Sequence, residues 1–405
     1  MTAEGRTIQN SAKITLALCF LLALMEGFDL QSMGVAAPMM REAFQLEPKQ
    51  LGMAFSAATL GTLPGALLAG KLADMYGRKP ILIINTILFG LMSVLTAHAE
   101  SFPLLLAARF LTGLGLGGAL PILITMATEA VSPKWRGTAV SVMYCGVPAG
   151  GIITSLVAIS MAKQFGWESI FYVGGFAPLL LLPVIWFFLP ESKAYLQSKL
   201  EAEQQRFSIP HILFGEGRLF GSIQLWISFF CTLIVLYVLL NWLPTLFANQ
   251  NFSREEINYV QIGFNVGGVL GTLLLGLLLD KLNIKAVIIM IYVGMLAALY
   301  ALSEGSSLSA LIAATTACGI FIIGGQGALY ALAGMFYPAA IRGTGVGTAV
   351  AVGRAGSFAG PILAGMILGA GQASGAVISA AIPVIAVAFI SAFLLVLRFK
   401  HNKHD

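Results

Sequence analysis

Charge is what this sequence has least of. Only 10% of its 405 residues are Asp, Glu, Lys or Arg, against 58% hydrophobic, where a soluble domain is about a quarter charged. That shortage excludes a water-soluble globular fold, and the mean hydropathy of +0.88 points to a chain embedded in a lipid bilayer. Cysteine is scarce too. Cys19, Cys145, Cys231 and Cys318 all lie in apolar segments without C-x-x-C spacing, so no disulfide or metal framework is expected. The four histidines (98, 211, 401 and 404) are scattered. This leaves no cluster for metal or nucleophilic chemistry; no cofactor is expected, and a membrane enzyme or chemosensor is the least favoured class. "GLGLGG" (113–118) has no strand before it and no P-loop lysine after it, so its glycines read as small residues that let helices approach closely. The basic residues are dispersed through short loops despite a pI near 9.0, which argues against nucleic acid. No cleavable signal is expected, because residues 1–13 are polar and the apolar run after them is long enough to span.

Long apolar runs are what the sequence has in abundance. A spanning helix needs about 20 apolar residues, and twelve segments qualify: 14–40, 51–72, 80–98, 104–130, 139–162, 169–190, 222–248, 257–280, 285–303, 308–336, 344–370 and 375–398. The one long polar interruption, 191–221, reads as a cytoplasmic linker between two six-helix halves, 1–190 and 222–405. With the N-terminus inside, 17 of the 23 Lys and Arg fall in cytoplasmic segments and only four (Arg41, Lys49, Lys163, Arg254) in external loops. Both termini are therefore expected in the cytoplasm.

The halves repeat one another. Gly70, Leu72 and Asp74 match Gly276, Leu278 and Asp280 at an offset of 206. The same offset carries Pro38 to Pro244, Gly65 to Gly271, Gly113 to Gly319, Gly118 to Gly324, and Arg136-Gly137-Thr138 to Arg342-Gly343-Thr344. Two parallel six-helix repeats are the architecture of a rocking transporter, with the site expected where the repeats meet.

These motifs carry a family resemblance. "GKLADMYGRK" (70–79), "RFLTGLGLGGA" (109–119) and "EAVSPKWRG" (129–137) resemble signatures of the major facilitator superfamily, over essentially the whole chain. The acidic "MEGFDLQ" of the first span, with "MYCGVP" (143–148), "NWLP" (241–244) and "RGTGVGTAVAVGR" (342–354), resembles the aromatic acid:proton symporter family, and within it the transporters of 3-(3-hydroxyphenyl)propionate. The resemblance implies an all-α fold of twelve transmembrane helices and alternating access. Its implied substrate is a small aromatic carboxylate, such as a hydroxyphenylpropionate, benzoate or hydroxybenzoate, taken up with a proton. The implied setting is a monomer in a bacterial cytoplasmic (inner) membrane. Where that family usually has D-G-F-D, this chain has Glu26 and then Asp29.

Glu26 and Asp29 are the only acids well inside a span, and their i, i+3 spacing puts both on one helix face. Asp29 lies roughly 22 Å above the cytoplasmic start of its span and Arg109 roughly 8 Å below the external end of span four, so their depths coincide in a core of about 30 Å. One reading is a structural ion pair. The favoured one is a proton site, because intramembrane carboxylates that persist usually face a cavity and titrate. Burial favours the neutral acid and the arginine favours the charged one, which can poise the group for proton uptake. Arg354, about midway along span eleven, presents a fork suited to a carboxylate; it and Arg109 are rival holders of the substrate acid. Two acids with central arginines oppose the other transport reading, a drug:proton antiporter exporting small organic compounds. Ring-binding candidates, or else polar links between helices, are Tyr144, Tyr237 with Asn241, Gln261 with Asn265, and Gln326 with Tyr330. Trp242 is expected as an external interface anchor, and "CGVPAGG" (145–151) as a helix-bending element. By the resemblance, Asp74, Gly77, Arg78, Lys79, Glu129 and Arg136 form a cytoplasmic gate. Asp280 and Arg342 are its second-half counterparts, although "DKLNIK" lacks the Gly-Arg of the first copy.

Overall fold

In lipid, backbone groups must be satisfied within the chain, so apolar runs of this length become helices. The computed structural model describes residues 3–192, 215, 218–248, 252–337 and 342–397. Among these it contains twelve helices long and apolar enough to cross a membrane. They are α1 (Ala3–Phe44), α2 (Pro48–Tyr76), α3 (Arg78–Ala97), α4 (Phe102–Glu129), α5 (Arg136–Phe165), α6 (Glu168–Phe188), α7 (Leu219–Ala248), α8 (Arg254–Lys281), α9 (Ile284–Glu304), α10 (Leu308–Phe336), α11 (Arg342–Gly369) and α12 (Ser374–Leu397). Within the described residues the fold is all-helical, with no strand, and the membrane-capable stretches begin and end within four residues of those read from hydropathy. The chain divides into two compact units, Met1–Glu203 with α1–α6 and Gln204–Asp405 with α7–α12. Apart from Glu191, Ser192, Gly215 and residues 218–221, the expected linker 191–221 lies outside the described residues.

The repeat read in the sequence is also a repeat of packing. In the first unit, a Cβ on Gly61, Gly65 or Gly113 would run into the carbonyls of Phe110, Leu114 and Ala58, which brings α2 and α4 into backbone contact. In the second, Gly267, Gly271 and Gly319 face the carbonyls of Thr316, Ile320 and Phe264, joining α8 to α10. Glycine and partner both move by 206 residues. The "GLGLGG" glycines are thus the close-approach residues of α4. The α1–α5 and α7–α11 pairs repeat in the same way: Gly150 lies against the Leu24 carbonyl and Gly356 against that of Phe230. Helix starts correspond as well. Gln50 Oε1 accepts the Glu47 N–H (2.9 Å) at α2, and Glu256 Oε2 accepts the Ser253 N–H (2.8 Å) at α8. Each satisfies a donor that a helix N-terminus would otherwise leave bare.

Among the described residues, two helices are irregular. α5 breaks at Cys145, between Arg136–Tyr144 and Gly146–Val157, where Pro148 removes the N–H that would bond back four residues; the interruption falls within "CGVPAGG". Wide π turns occupy Ala158–Ala162 in α5 and Gly319–Ile323 in α10. Trp242 departs from expectation. It is fully buried and its Nε1 donates to the Pro361 carbonyl (3.1 Å), so a polar partner on α11 draws the indole into the helix pair instead of out to the membrane surface.

Candidate functional site

In the first unit, the deep charges meet. Asp29 and Arg109 are 0% and 1% exposed. Arg109 donates from one terminal nitrogen to Asp29 Oδ1 (3.2 Å) and from the other to Oδ2 (3.1 Å) and to the Asp29 carbonyl (3.3 Å). This is the two-pronged geometry that a guanidinium favours with a carboxylate. The cation also lies 5.6 Å from the Phe171 ring centre on α6, close enough for its charge to interact with the ring face. A second donor completes the acid: Ser93 on α3 gives its hydroxyl to Asp29 Oδ1 (2.9 Å), with the Phe171 carbonyl also within reach (3.3 Å). Ser32 Oγ donates to the Asp29 carbonyl (2.7 Å). Glu26, one turn earlier on α1, is also buried. Tyr144 is half-buried and packs on the apolar cluster that contains Leu18, Leu22 and Met143.

The second unit gathers a different set. Arg354 on α11 is half-buried and donates to the Tyr237 hydroxyl of α7 (2.9 Å). Asn241 sits one turn beyond Tyr237 and donates to its carbonyl (2.8 Å). On α8, Gln261 reaches the Leu240 carbonyl (3.5 Å) and Asn265 the Gln261 carbonyl (3.0 Å). On α10, Tyr330 packs edge-on against Phe229, with ring centres 5.5 Å apart. Gln326 is 2% exposed, and its side-chain nitrogen has no hydrogen-bond partner among the described residues. These aromatic, amide and guanidinium groups come from four helices of one unit.

At the start of α3 the expected gate residues divide. Arg78 forms an ion pair with Glu129 at the end of α4. Lys79 Nζ donates to the Trp186 carbonyl (2.6 Å) and lies 6.0 Å from that ring's centre. Asp74 and Arg136 are exposed and lie outside this cluster. The side chains of Asp280 and Arg342 lie outside the described residues. Glu191 and Ser192, just beyond α6, join the set. The Glu191 carboxylate accepts the N–H groups of Arg78 (2.9 Å), Lys79 (3.2 Å) and Ser192 (2.8 Å), and Ser192 Oγ donates to Glu129 (2.8 Å). A carboxylate suits the positive end of a helix. Gly77 makes room for it, since a Cβ there would meet Glu191, and its φ of +105° favours glycine.

Ser93, Phe171, Glu191 and Ser192 were not singled out from the sequence. Serines are common in spans and carry no charge signal. Glu191 could have been suspected only as the first acid after α6.

The family model of the Major Facilitator Superfamily matches residues 19–303 and 225–405. The chain is 47% identical over 385 residues to a 3-(3-hydroxyphenyl)propionate transporter of Escherichia coli strain K12, covering 95% of this chain and 94% of that protein. It is 34% identical to a 4-hydroxybenzoate transporter of Pseudomonas aeruginosa, covering 87% and 86%. A crystal structure of a D-xylose-proton symporter superposes with a TM-score of 0.75 at 18% identity, covering 95% of this chain and 96% of that one.

Proposed function

The chain belongs to the Major Facilitator Superfamily, and we propose that it is a symporter that imports a small aromatic carboxylate together with a proton by alternating access. The observation that carries this reading is the Asp29–Arg109 pair, fully buried within membrane-spanning helices. A carboxylate held by one arginine and one hydroxyl can be neutralised by a single proton, which frees the guanidinium. The names of the relatives, a hydroxyphenylpropionate and a hydroxybenzoate transporter, support an aromatic acid as substrate. Arg354 with Tyr237 supplies a fork for its carboxylate; Asn241, Gln261, Asn265, Gln326 and Tyr330 supply amides and a ring for a hydroxylated aromatic.

The driving force has the right sign. An anion entering a negative interior is opposed by ~2.3 kcal/mol per 100 mV; one accompanying proton cancels that charge, and a pH gradient then drives uptake. The proton acid and the substrate arginine belong to different six-helix units, so the change of conformation couples them. The cluster of Arg78, Lys79, Glu129 and Glu191, with Asp74 and Arg136 nearby in sequence, acts as the cytoplasmic gate. The two halves are joined by the segment 191–221. The protein works as a monomer in a bacterial cytoplasmic membrane with both termini inside, as its basic residues direct.

The test is uptake of labelled 3-(3-hydroxyphenyl)propionate, benzoate and 4-hydroxybenzoate by cells with and without a protonophore. Accumulation of at least one acid should collapse when the proton gradient does. Undiminished accumulation would exclude proton coupling, and transport of none of the three would exclude this substrate class.

A further inference from the structure

The proposed proton site has a difficulty of its own. When Asp29 is ionised its neighbours suit it, because they donate. When it takes a proton it becomes a buried O–H donor and needs an acceptor, since a buried donor left bare is penalised. Arg109, reaching in from α4, is the charged group packed on it, and a guanidinium has no acceptor. Glu26 lies a turn away on the same helix. Ser32 is turned to the Asp29 carbonyl (2.7 Å), and Thr154, facing from α5, donates among the carbonyls of Phe28 and Gly150 (3.0 and 2.9 Å). From α3 and α6 come Ser93 and the Phe171 carbonyl.

Ser93 is built to resolve this. It is fully buried, and its one hydroxyl hydrogen has two acceptors in reach, Asp29 Oδ1 at 2.9 Å and the Phe171 carbonyl at 3.3 Å. We infer that Ser93 is a positioning residue that serves both protonation states. It donates to the ionised carboxylate; once Asp29 is protonated, it turns its hydrogen to the Phe171 carbonyl and accepts the acid's O–H on its own oxygen. A hydroxyl has the lone pairs to accept while it donates. No covalent bond forms or breaks in this turn, and the proton stays on Asp29. The site also leaves the hydroxyl room. Gly174, one turn after Phe171, would with a Cβ press to 3.3 Å from Ser93 Oγ and to 3.0 Å from the Phe28 ring. The second half shows the converse: at the offset of 206, Asp29, Ser93 and Arg109 become Val235, Leu299 and Thr315, so the acid and the hydroxyl at the Ser93 position are lost together.

This inference rests on Asp29 being the coupling acid, and the experiment separates the two ideas. Wild type, Ser93→Ala, Ser93→Thr and Asp29→Asn are purified into proteoliposomes, and the midpoint of uptake against pH is recorded for each. In parallel, infrared difference spectra of a pH jump follow the carbonyl band of the protonated acid. Charged hydrogen bonds are about twice as strong as neutral ones, so Ser93→Ala weakens the ionised state more than the neutral one. Its midpoint should move up by about one pH unit, a tenfold change in proton affinity. The acid band should shift to higher frequency as its hydrogen bond is lost. Ser93→Thr, which keeps the hydroxyl, should restore both. If Ser93→Ala fails to insert, Ser93→Cys, a weaker donor and acceptor, should move the midpoint less in the same direction. A wild-type midpoint and band in Ser93→Ala, with both lost in Asp29→Asn, would overturn the role of Ser93 alone. A wild-type midpoint in Asp29→Asn would remove the coupling acid itself, and the inference with it.

Discussion

The two six-helix halves share their packing and differ in their chemistry. Where α2 meets α4, and α8 meets α10, three glycines and the carbonyls they face correspond at an offset of 206. The deep polar residues do not correspond. Asp29 and Arg109 become Val235 and Thr315, while Tyr237 and Arg354 become Gln31 and Pro148. A glycine at a helix contact answers to a backbone one helix away, and that demand is identical in both copies. A buried charge answers to a task, and buried charges are expensive enough to persist where the task requires them. On the proposed reading, the first half carries the proton-binding chemistry and the second the carboxylate-binding chemistry. One junction shows the same divergence on a smaller scale. Asn283 starts α9 by accepting the Lys285 N–H itself (2.9 Å). Its counterpart Gly77 has no side chain, and α3 takes Glu191 from beyond α6 in its place.

The largest effect should come from the first half's acid. Asp29→Asn mimics the protonated form and should abolish uptake driven by a pH gradient, while counterflow between substrate pools survives. Glu26→Gln should do less. An Asp29→Asn transporter that still concentrated substrate with normal pH dependence would reduce the buried pair to a structural tie.

Next comes the second half's arginine. A charged hydrogen bond is worth roughly 1.5–3 kcal/mol, so Arg354→Ala should weaken binding on the order of 10- to 150-fold, with partial rescue by lysine. Replacing the acid by its neutral amide should cost wild type affinity but leave the mutant nearly indifferent. A mutant that still prefers the acid would pass the role to Arg109 and erase the division of labour.

The packing comparison predicts equality. Gly113→Val and Gly319→Val each drive a side chain into a neighbouring carbonyl and should each cost about 1–3 kcal/mol, read as matched falls in thermal unfolding midpoint in detergent. A large fall in one alone would break the structural equivalence.

Smallest is the helix start. Glu191→Ala should cost about 0.5–2 kcal/mol, the range for a lost N-terminal cap, and Asn283→Ala a similar amount. Only Glu191→Ala should also slow the exchange between inward- and outward-open states, because only Glu191 belongs to the proposed gate cluster. Equal transport rates in the two variants would reduce Glu191 to a cap.

Much of this is legible in the sequence alone. Apolar runs near 20 residues have one outcome in lipid, so the twelve spans and their limits follow from hydropathy. The constant offset exposed the repeat, and depth counting along α1 and α4 brought Asp29 and Arg109 to one level, where they pair. Less was legible where the signal is not charge. Ser93 is a small hydroxyl among many. Glu191 lies 113 residues from the Arg78 N–H that it accepts. Trp242 resembles a membrane-surface anchor until the Pro361 carbonyl is seen beside it.

By itself, then, the sequence determined the helices, their number, the repeat and the few charges deep enough to matter, because lipid imposes hydrogen bonding along each helix and penalises every charge one residue at a time. Tertiary structure alone decided which neighbour each of these groups meets: Ser93 at Asp29, the Phe171 carbonyl at Ser93, Tyr237 at Arg354, Glu191 at the start of α3. A hydrogen bond depends on distances of about 3 Å between atoms far apart in the chain, and those distances exist only once the helices have packed.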